Sequence, residues 1–409
     1  MNKSKIIDLG AAEKKVKANL KSVNDTAINV INNTCEDIKF ILDRAEGCVS
    51  DFDSIRNRIA NRTSEYQAVI TNEVIDSYIE VFDMVWERVG GKLHRKIYPR
   101  IFQLINPKEA VWEGRGSENM QEIDINTITF PADRTPFVFI HGIENEPTKE
   151  AAYEFYEKFE NAARMYNNDI TDYSKDTDVF IVSYDSTLSN DEEVIIRAGF
   201  ETVLGGTVTG DAPEFFAAVM WREWQKRAIY TGEEVLLPFL KKMADSNIDR
   251  TKRGKVISHS LGCLVMAHAA EELKKQFPDS EKPLNSWLVL AAALPLNAFA
   301  NTGDYKNAPA VTGVYDSDPL YGTKVWFSYV DFALLFFYVY ATKHEAMGQR
   351  GSVFPARYEV FNQDVTFCTL ESHTADEYFA RLASTLRFYL NTEIWSEQPR
   401  CSISVPPFS

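Results

Sequence analysis

The sequence predicts an α/β fold, with a mostly parallel sheet flanked by helices, over residues 111–409. Short apolar runs rich in β-branched and aromatic residues alternate there with helical stretches, the pattern of a parallel sheet covered on both faces. The predicted strands are Phe137–Ile140, Val179–Val182, Lys255–Ile257, Trp287–Leu290 and Val311–Tyr315. The predicted helices cover residues 149–165, 212–245, 262–276 and 375–391.

Residues 1–110 form a separate region, predicted as a helical hairpin with coiled-coil-like spacing. Apolar residues recur there at intervals of four and three, beginning at Val16 and Leu20, as in a coiled coil. A second helix is predicted to end at Gly90-Gly91, because glycine commonly terminates helices. Two interpretations stay open: packing on the main domain, or self-association, partner binding or targeting through these helices.

Composition and charge limit the classes of partner. The chain has 409 residues, 45% hydrophobic and 25% charged, which is ordinary for a globular protein. The chain has a net charge of −15, and the negative excess lies in the residues after position 100. Nucleic acid is therefore not the expected partner, since phosphate contacts need clustered Lys and Arg. One local basic cluster is favoured as a solvated junction between domains, and peripheral contact with an anionic lipid or a phosphate is the alternative. The cluster comprises Arg88, Lys92, His94, Arg95, Lys96 and Arg100.

The cysteines and the N-terminus bear on the compartment. The five cysteines show no CxxC spacing, which favours neither a disulfide framework nor a zinc site, and no metal or cofactor is predicted. The first 20 residues lack the apolar core of a secretory signal peptide. A cytoplasmic protein is therefore expected, with export as an effector without such a signal as the alternative.

The strongest chemical motif is Ser258-His259-Ser260-Leu261-Gly262, between an apolar strand and a helix. In a nucleophile elbow, a serine sits on a strained strand-to-helix turn, and small residues two positions away make the turn possible. Ser258 takes the place of the first glycine of the GxSxG pattern. Ser260 is therefore predicted as a nucleophile, with the backbone N–H of Leu261 as a donor to an oxyanion.

A second motif is His141-Gly142, directly after the apolar segment 136–140. It resembles the strand and HG loop that supply half of the oxyanion hole in α/β-hydrolases. That resemblance implies that the backbone N–H of Ile143 is the second oxyanion donor and that His141 braces the loop rather than acting as the base.

A nucleophilic serine also needs a base, and the base needs an acid that orients it. Asp318 follows the predicted strand ending near Tyr315, and Asp318-Pro319-Leu320 resembles the Asp-x-Val/Leu pattern of α/β-hydrolases after this strand, so Asp318 is the predicted acid, with Asp316 as runner-up. His373, in the loop before the last predicted helix, is the predicted base, with His344 as its rival.

Together these pieces resemble the α/β-hydrolase superfamily across about residues 130–395. Ser260, Asp318 and His373 would follow in the order nucleophile, acid, base. The segments 346–351 and 364–373 look similar to a bacterial esterase-like subgroup. The resemblance implies a serine hydrolase that needs no metal or organic cofactor.

The most apolar stretch, residues 325–341, bears on the substrate. At 17 residues it is short for a membrane span, which needs about 20. A buried helix is the simplest interpretation, and a lid-like insertion over 325–350 that lines an acyl pocket is the preferred one. The predicted activity is cleavage of carboxylic esters, either small-molecule or lipid; amidase, thioesterase or peptidase activity and a non-catalytic interaction protein are the alternatives.

Overall fold

The protein is described from a computed structural model. The structure describes residues 74–93, 98–105, 116–166, 177–204, 213–313, 322–357, 359–369, 372–381 and 403–405. Most of the predicted hairpin of residues 1–110 lies outside these ranges. Its last helix is described from Val74 to Val89 and stops before Gly90-Gly91, which confirms the predicted end.

One sheet organises the described part of the chain. The strands described are β1 Arg100–Leu104, β2 Met120–Glu122, β3 Thr135–Ile140, β4 Thr177–Ser183, β5 Gly254–His259, β6 Leu284–Leu290, β7 Gly322–Phe327, β8 Val360–Asp364 and β9 Ile403–Val405. They are ordered β2-β1-β4-β3-β5-β6-β7-β8-β9. β3 to β8 are parallel, while β1 and β2 at one edge and β9 at the other are joined antiparallel. The mostly parallel sheet of an α/β protein is thus confirmed.

The helices lie between these strands along the chain. Those described are α1 Val74–Val89, α2 Lys149–Tyr166, α3 Asn190–Leu204, α4 Pro213–Thr231, α5 Leu237–Asp245, α6 Gly262–Gln276, α7 Val339–Thr342, α8 Met347–Arg350, α9 Thr366–Thr369 and α10 Ala375–Arg381. A π-helical turn, Gly232–Leu236, joins α4 to α5, and a second one, Leu334–Tyr338, precedes α7. The predicted helices at 149–165 and 262–276 are confirmed.

The central strands are buried along their whole length. Every residue of β3, β6 and β7 is buried, as expected for parallel strands covered on both faces. Since β3 to β8 are parallel, their carboxyl ends meet at one edge of the sheet, where ligand sites of open α/β sheets lie. Four of the five predicted strands are confirmed.

The fifth predicted strand, Val311–Tyr315, is wrong where the structure describes it. Residues Ala308–Val311 form a 3-10 helix, and residues 314–321 lie outside the described ranges. The strand that follows β6 in the sheet is instead β7, Gly322–Phe327. The apolar stretch 325–341 therefore begins as the end of a buried strand, passes through a turn at Ser328–Asp331, and continues as helix.

The chain divides into two compact units. The larger comprises residues 96–187, 224–335 and 344–409, and it contains the sheet. The smaller comprises residues 1–95, 188–223 and 336–343; in it α1 packs on α3, with the rings of Phe82 and Phe200 6.1 Å apart. The sheet begins at Arg100, ahead of the predicted boundary at 110.

Two further observations concern the described residues. Cys368 is disulfide-bonded, which the cysteine spacing did not predict, and Cys263 is a buried free thiol. Within the described ranges, no helix combines the length and the apolarity that crossing a membrane requires.

Candidate functional site

The turn between β5 and α6 holds the predicted nucleophile. β5 ends at His259, α6 begins at Gly262, and Ser260 between them adopts a φ of +52°. A left-handed φ is costly for a residue with a side chain, and such strain persists only where the surroundings enforce it. Here the Ser260 N–H donates to the Leu290 carbonyl at 2.9 Å, and its carbonyl accepts from the Ala293 N–H at 3.2 Å.

Two glycines allow the turn to approach β3 closely. A Cβ on Gly262 would lie 2.4 Å from the His141 carbonyl oxygen and 2.6 Å from that of Ile140. A Cβ on Gly142 would lie 2.8 Å from Cβ of Ser260. These distances are shorter than real Cβ contacts, so a larger residue at either position would force the turn or its neighbours to shift.

Ser258, which replaces a glycine in the elbow pattern, is held in a buried hydrogen-bond chain. The indole Nε1–H of Trp287 donates to Ser258 Oγ at 2.8 Å, and Ser258 Oγ–H donates to Cys263 Sγ at 3.2 Å. Burial raises the pKa of Cys263 to about 12, so it stays a thiol, and its one S–H can donate to either of two nearby backbone carbonyls, those of Ser258 and Leu290. The serine side chain is thereby accommodated, and the turn forms without the glycine.

Three side chains from three separate loops meet at this turn. His373 Nε2 lies 2.8 Å from Ser260 Oγ. His373 Nδ1 lies 3.0 Å and 2.9 Å from the two carboxylate oxygens of Asp331. Ser260 is 1% exposed and Asp331 is fully buried, while the side chain of His373 between them is 15% exposed.

Asp331 is the site residue that the sequence analysis missed. The predicted acid Asp318 and its runner-up Asp316 lie in residues 314–321, outside the described ranges, and they precede β7 in the chain. Asp331 instead follows β7 by four residues, at the carboxyl end of the strand. The sequence prediction placed the acid directly after the strand predicted at 311–315, whereas β7 is the strand that Asp331 follows.

The carboxylate of Asp331 is further anchored by its surroundings. The Leu334 N–H donates to Oδ1 at 3.1 Å, and the Tyr378 hydroxyl donates to Oδ2 at 3.4 Å. The pKa of Tyr378 is raised well above its usual value, first by burial and then by Asp331, so it remains a neutral donor. A buried charge is tolerable only with such partners.

His344, the rival candidate, is exposed, whereas His373, the predicted base, contacts both Ser260 and Asp331. Its backbone is held by His259, whose Nε2–H donates to the His373 carbonyl oxygen at 2.7 Å. The pKa of His259 is lowered to about 3, by burial first and by His373 next, so His259 is neutral at physiological pH. A neutral ring with its proton on Nε2 is the form that this hydrogen bond requires.

His141 braces the loop after β3, as the sequence analysis expected. Its Nδ1–H donates to the Gly142 carbonyl at 2.9 Å, and its Nε2 accepts from the Tyr184 N–H at 3.2 Å. Burial lowers the pKa of His141 to about 4, which keeps the ring neutral, and the two hydrogen bonds select the tautomer with its proton on Nδ1. The ring also stacks on Tyr184 with centroids 4.6 Å apart.

The two predicted oxyanion donors belong to residues adjacent in the chain to Gly142 and to Ser260. Ile143 follows Gly142, which lies against Ser260, and Leu261 is the next residue of the turn. Neither backbone N–H donates to another of the residues the structure describes. Backbone N–H groups near a nucleophilic serine can donate hydrogen bonds that stabilise the negative charge developing on a substrate oxygen.

Comparison with known proteins adds no family assignment. No protein-family model matches the chain, and no curated protein matches its sequence. Within the described residues, no group of three or more His, Cys, Asp or Glu side chains is arranged to hold a metal ion. The site is therefore interpreted from its own geometry.

Proposed function

We propose that the protein is a serine hydrolase of the α/β-hydrolase fold that cleaves carboxylic esters through an acyl-enzyme intermediate. The observation that carries this proposal is the continuous contact from Ser260 Oγ through His373 to Asp331. The strained elbow and the chain order serine, aspartate, histidine support it, since both are features of this fold.

In the proposed reaction, Ser260 Oγ attacks the ester carbonyl carbon while its proton passes to His373 Nε2. The carbonyl oxygen becomes an oxyanion that accepts hydrogen bonds from the N–H groups of Ile143 and Leu261. His373 then gives its proton to the leaving alkoxide oxygen, and the C–O bond to the alcohol breaks. Asp331 keeps the Nδ1 proton in place and stabilises the imidazolium.

Deacylation repeats the same steps with water. A water molecule loses a proton to His373 Nε2 and attacks the acyl carbon. The tetrahedral species then collapses, the bond to Ser260 Oγ breaks, and the serine recovers its proton from His373. The products are a carboxylic acid and the free enzyme, and no cofactor takes part.

The proposed substrate is a small-molecule or lipid ester. Residues 325–341 favour a lipid because they are apolar, but Val325, Trp326 and Phe327 are buried as sheet residues. The lid or acyl-pocket wall is then proposed to come from the helical part that follows Asp331, in which Leu334, Leu335 and Tyr338 are also buried. Carboxylic esters in general are therefore the proposed substrate class, and lipid esters are a more specific proposal within it.

A fluorophosphonate probe tests the proposal, because it labels only an activated serine. Wild-type protein should be labelled and Ser260→Ala should not, while Ser246→Ala, a serine at the end of α5, should be labelled like the wild type. Absence of Ser260-dependent labelling would favour the non-catalytic alternative, with the N-terminal helices as the partner-binding part.

Substrate class is tested separately on the active enzyme. A p-nitrophenyl ester series of increasing acyl length, together with matched amide and thioester substrates, gives the relative kcat/KM values. A preference for acetyl over long chains would contradict the lipid form. Faster cleavage of amides or thioesters than of esters would contradict ester specificity and leave the acyl-enzyme mechanism intact.

A further inference from the structure

We propose that Ser186 is a positioning residue that orients the Gly142–Ile143 peptide so that its N–H points at the developing oxyanion. The inference rests on the proposed function and adds to it a residue that touches neither the substrate nor Ser260. Ser186 lies in the loop after β4 and is fully buried.

The Ser186 hydroxyl has one hydrogen and three neighbours. Its Oγ lies 2.8 Å from the Gly142 carbonyl oxygen and 3.2 Å from the Asn145 carbonyl oxygen. It also accepts from the Asn145 N–H at 3.1 Å. With the acceptor role taken by that N–H, the single proton goes to the nearer carbonyl, that of Gly142.

The Gly142 carbonyl and the Ile143 N–H belong to the same planar unit. The described chain has no cis peptide bond, so the two groups point in opposite directions. Ser186 Oγ–H and His141 Nδ1–H both hold the carbonyl, the latter at 2.9 Å. Fixing the carbonyl from two sides fixes the direction of the N–H.

The direction so fixed is useful because of where Gly142 lies. Its Cα is packed so closely on Ser260 that an added Cβ would be 2.8 Å from that of the serine. Two donors on the carbonyl also polarise the peptide, which makes its N–H a stronger donor. If the carbonyl lost one of these hydrogen bonds, the peptide plane could rotate. The N–H would then turn away from the substrate oxygen.

The side chain can be tested apart from the rest of the loop. Two backbone bonds also join this loop to residue 186: Glu144 N–H to the Ser186 carbonyl, and Ser186 N–H to the Asn145 carbonyl, both at 3.0 Å. They survive in Ser186→Ala, so that variant removes the hydroxyl alone. Ser183 in β4 supplies a matched control, since it is also fully buried and its hydroxyl has no hydrogen-bond partner among the described residues.

The experiment measures kcat and KM with a p-nitrophenyl ester, affinity for a trifluoromethyl ketone that forms an oxyanion on the serine, and the melting temperature. Removing one oxyanion donor outright lowers kcat by about 10²–10³-fold, and here the donor is loosened while His141 still holds the carbonyl, so about tenfold is expected. KM should be nearly unchanged, and the ketone should bind about tenfold more weakly. Ser183→Ala should change none of these, and Ser186→Thr, which keeps the hydroxyl, should retain most of the activity.

The outcomes separate the inference from the proposed function. Wild-type protein that shows no Ser260-dependent fluorophosphonate labelling would overturn both. An active wild type with kcat and ketone affinity unchanged in Ser186→Ala would overturn the role of Ser186 alone, as would a parallel loss in Ser183→Ala. If the alanine variant does not fold, Ser186→Cys, which keeps the shape with a weaker donor, carries the same expectations.

Discussion

Asp331→Asn is the substitution that most directly tests the proposed mechanism. The carboxylate oxygens lie 2.9 Å and 3.0 Å from His373 Nδ1 in a site with no exposure of Asp331. Two unit charges about 3 Å apart interact by about 5 kcal/mol at an effective dielectric constant of about 20. That energy stabilises the imidazolium only after proton transfer, so it enters the barrier and corresponds to a loss of nearly four decades in rate.

The amide adds an effect on the tautomer of the histidine. The NH2 group of the asparagine can donate to His373 Nδ1, which places the ring proton on Nε2. Nε2 can then no longer accept the hydroxyl proton of Ser260. The amide oxygen can still accept from the Leu334 N–H, so the local backbone is retained. The expected result is a fall in kcat of about 10⁴-fold with a small change in KM.

The assay is steady-state ester hydrolysis beside thermal unfolding, with Asp318→Asn as the matched variant. Asp318→Asn should change kcat by less than about tenfold, a small effect beside the loss of a buried charge pair. A loss in Asp318→Asn equal to that in Asp331→Asn would refute the assignment of Asp331. So would an Asp331→Asn enzyme that unfolds at a much lower temperature and keeps its kcat.

Three further predictions concern the elbow and its neighbours. Gly262→Ala should lower the free energy of unfolding by about 1–3 kcal/mol or more, because the new Cβ would lie 2.4 Å from the His141 carbonyl; unchanged denaturant unfolding would contradict this. Ser258→Ala should cost about 1–3 kcal/mol, because the Trp287 indole N–H loses its buried acceptor, and an unaltered unfolding midpoint would count against that hydrogen bond. His259 has its pKa lowered to about 3, so the unfolded state binds more protons between about pH 3 and 6.5 and stability rises with pH across that window. Melting temperatures measured from pH 4 to 7 should therefore vary less in His259→Gln than in the wild type, and an equal slope would show that His259 does not contribute.

Local sequence signals were sufficient for the elbow and for the histidine. The strand, the small residues and the helix that define the Ser260 turn lie within about a dozen consecutive residues, so a local pattern was enough to predict the turn. His373 was found because it precedes an amphipathic helix, and α10 does begin at Ala375. Four central strands were found for a similar reason, since each is a short apolar run bounded by turn residues.

Asp331 could not be found from such local signals. An apolar run has no periodicity from which to separate a buried strand from a buried helix, and residues 325–341 contain both. Asp331 is the one charged residue in that run. Since a buried carboxylate needs a partner, its presence there was the available signal for a site residue.

The sequence by itself therefore determined the α/β class and marked the Ser260 turn and His373 as candidates, because each has a signal among near neighbours in the chain. Only the tertiary structure decided which carboxylate meets His373 and which hydroxyl holds Gly142. Asp331 is 42 residues from His373, and Ser186 is 44 from Gly142. The register of β7 and β4 in the sheet brings these pairs together, and that register is set by packing across strands that no local pattern records.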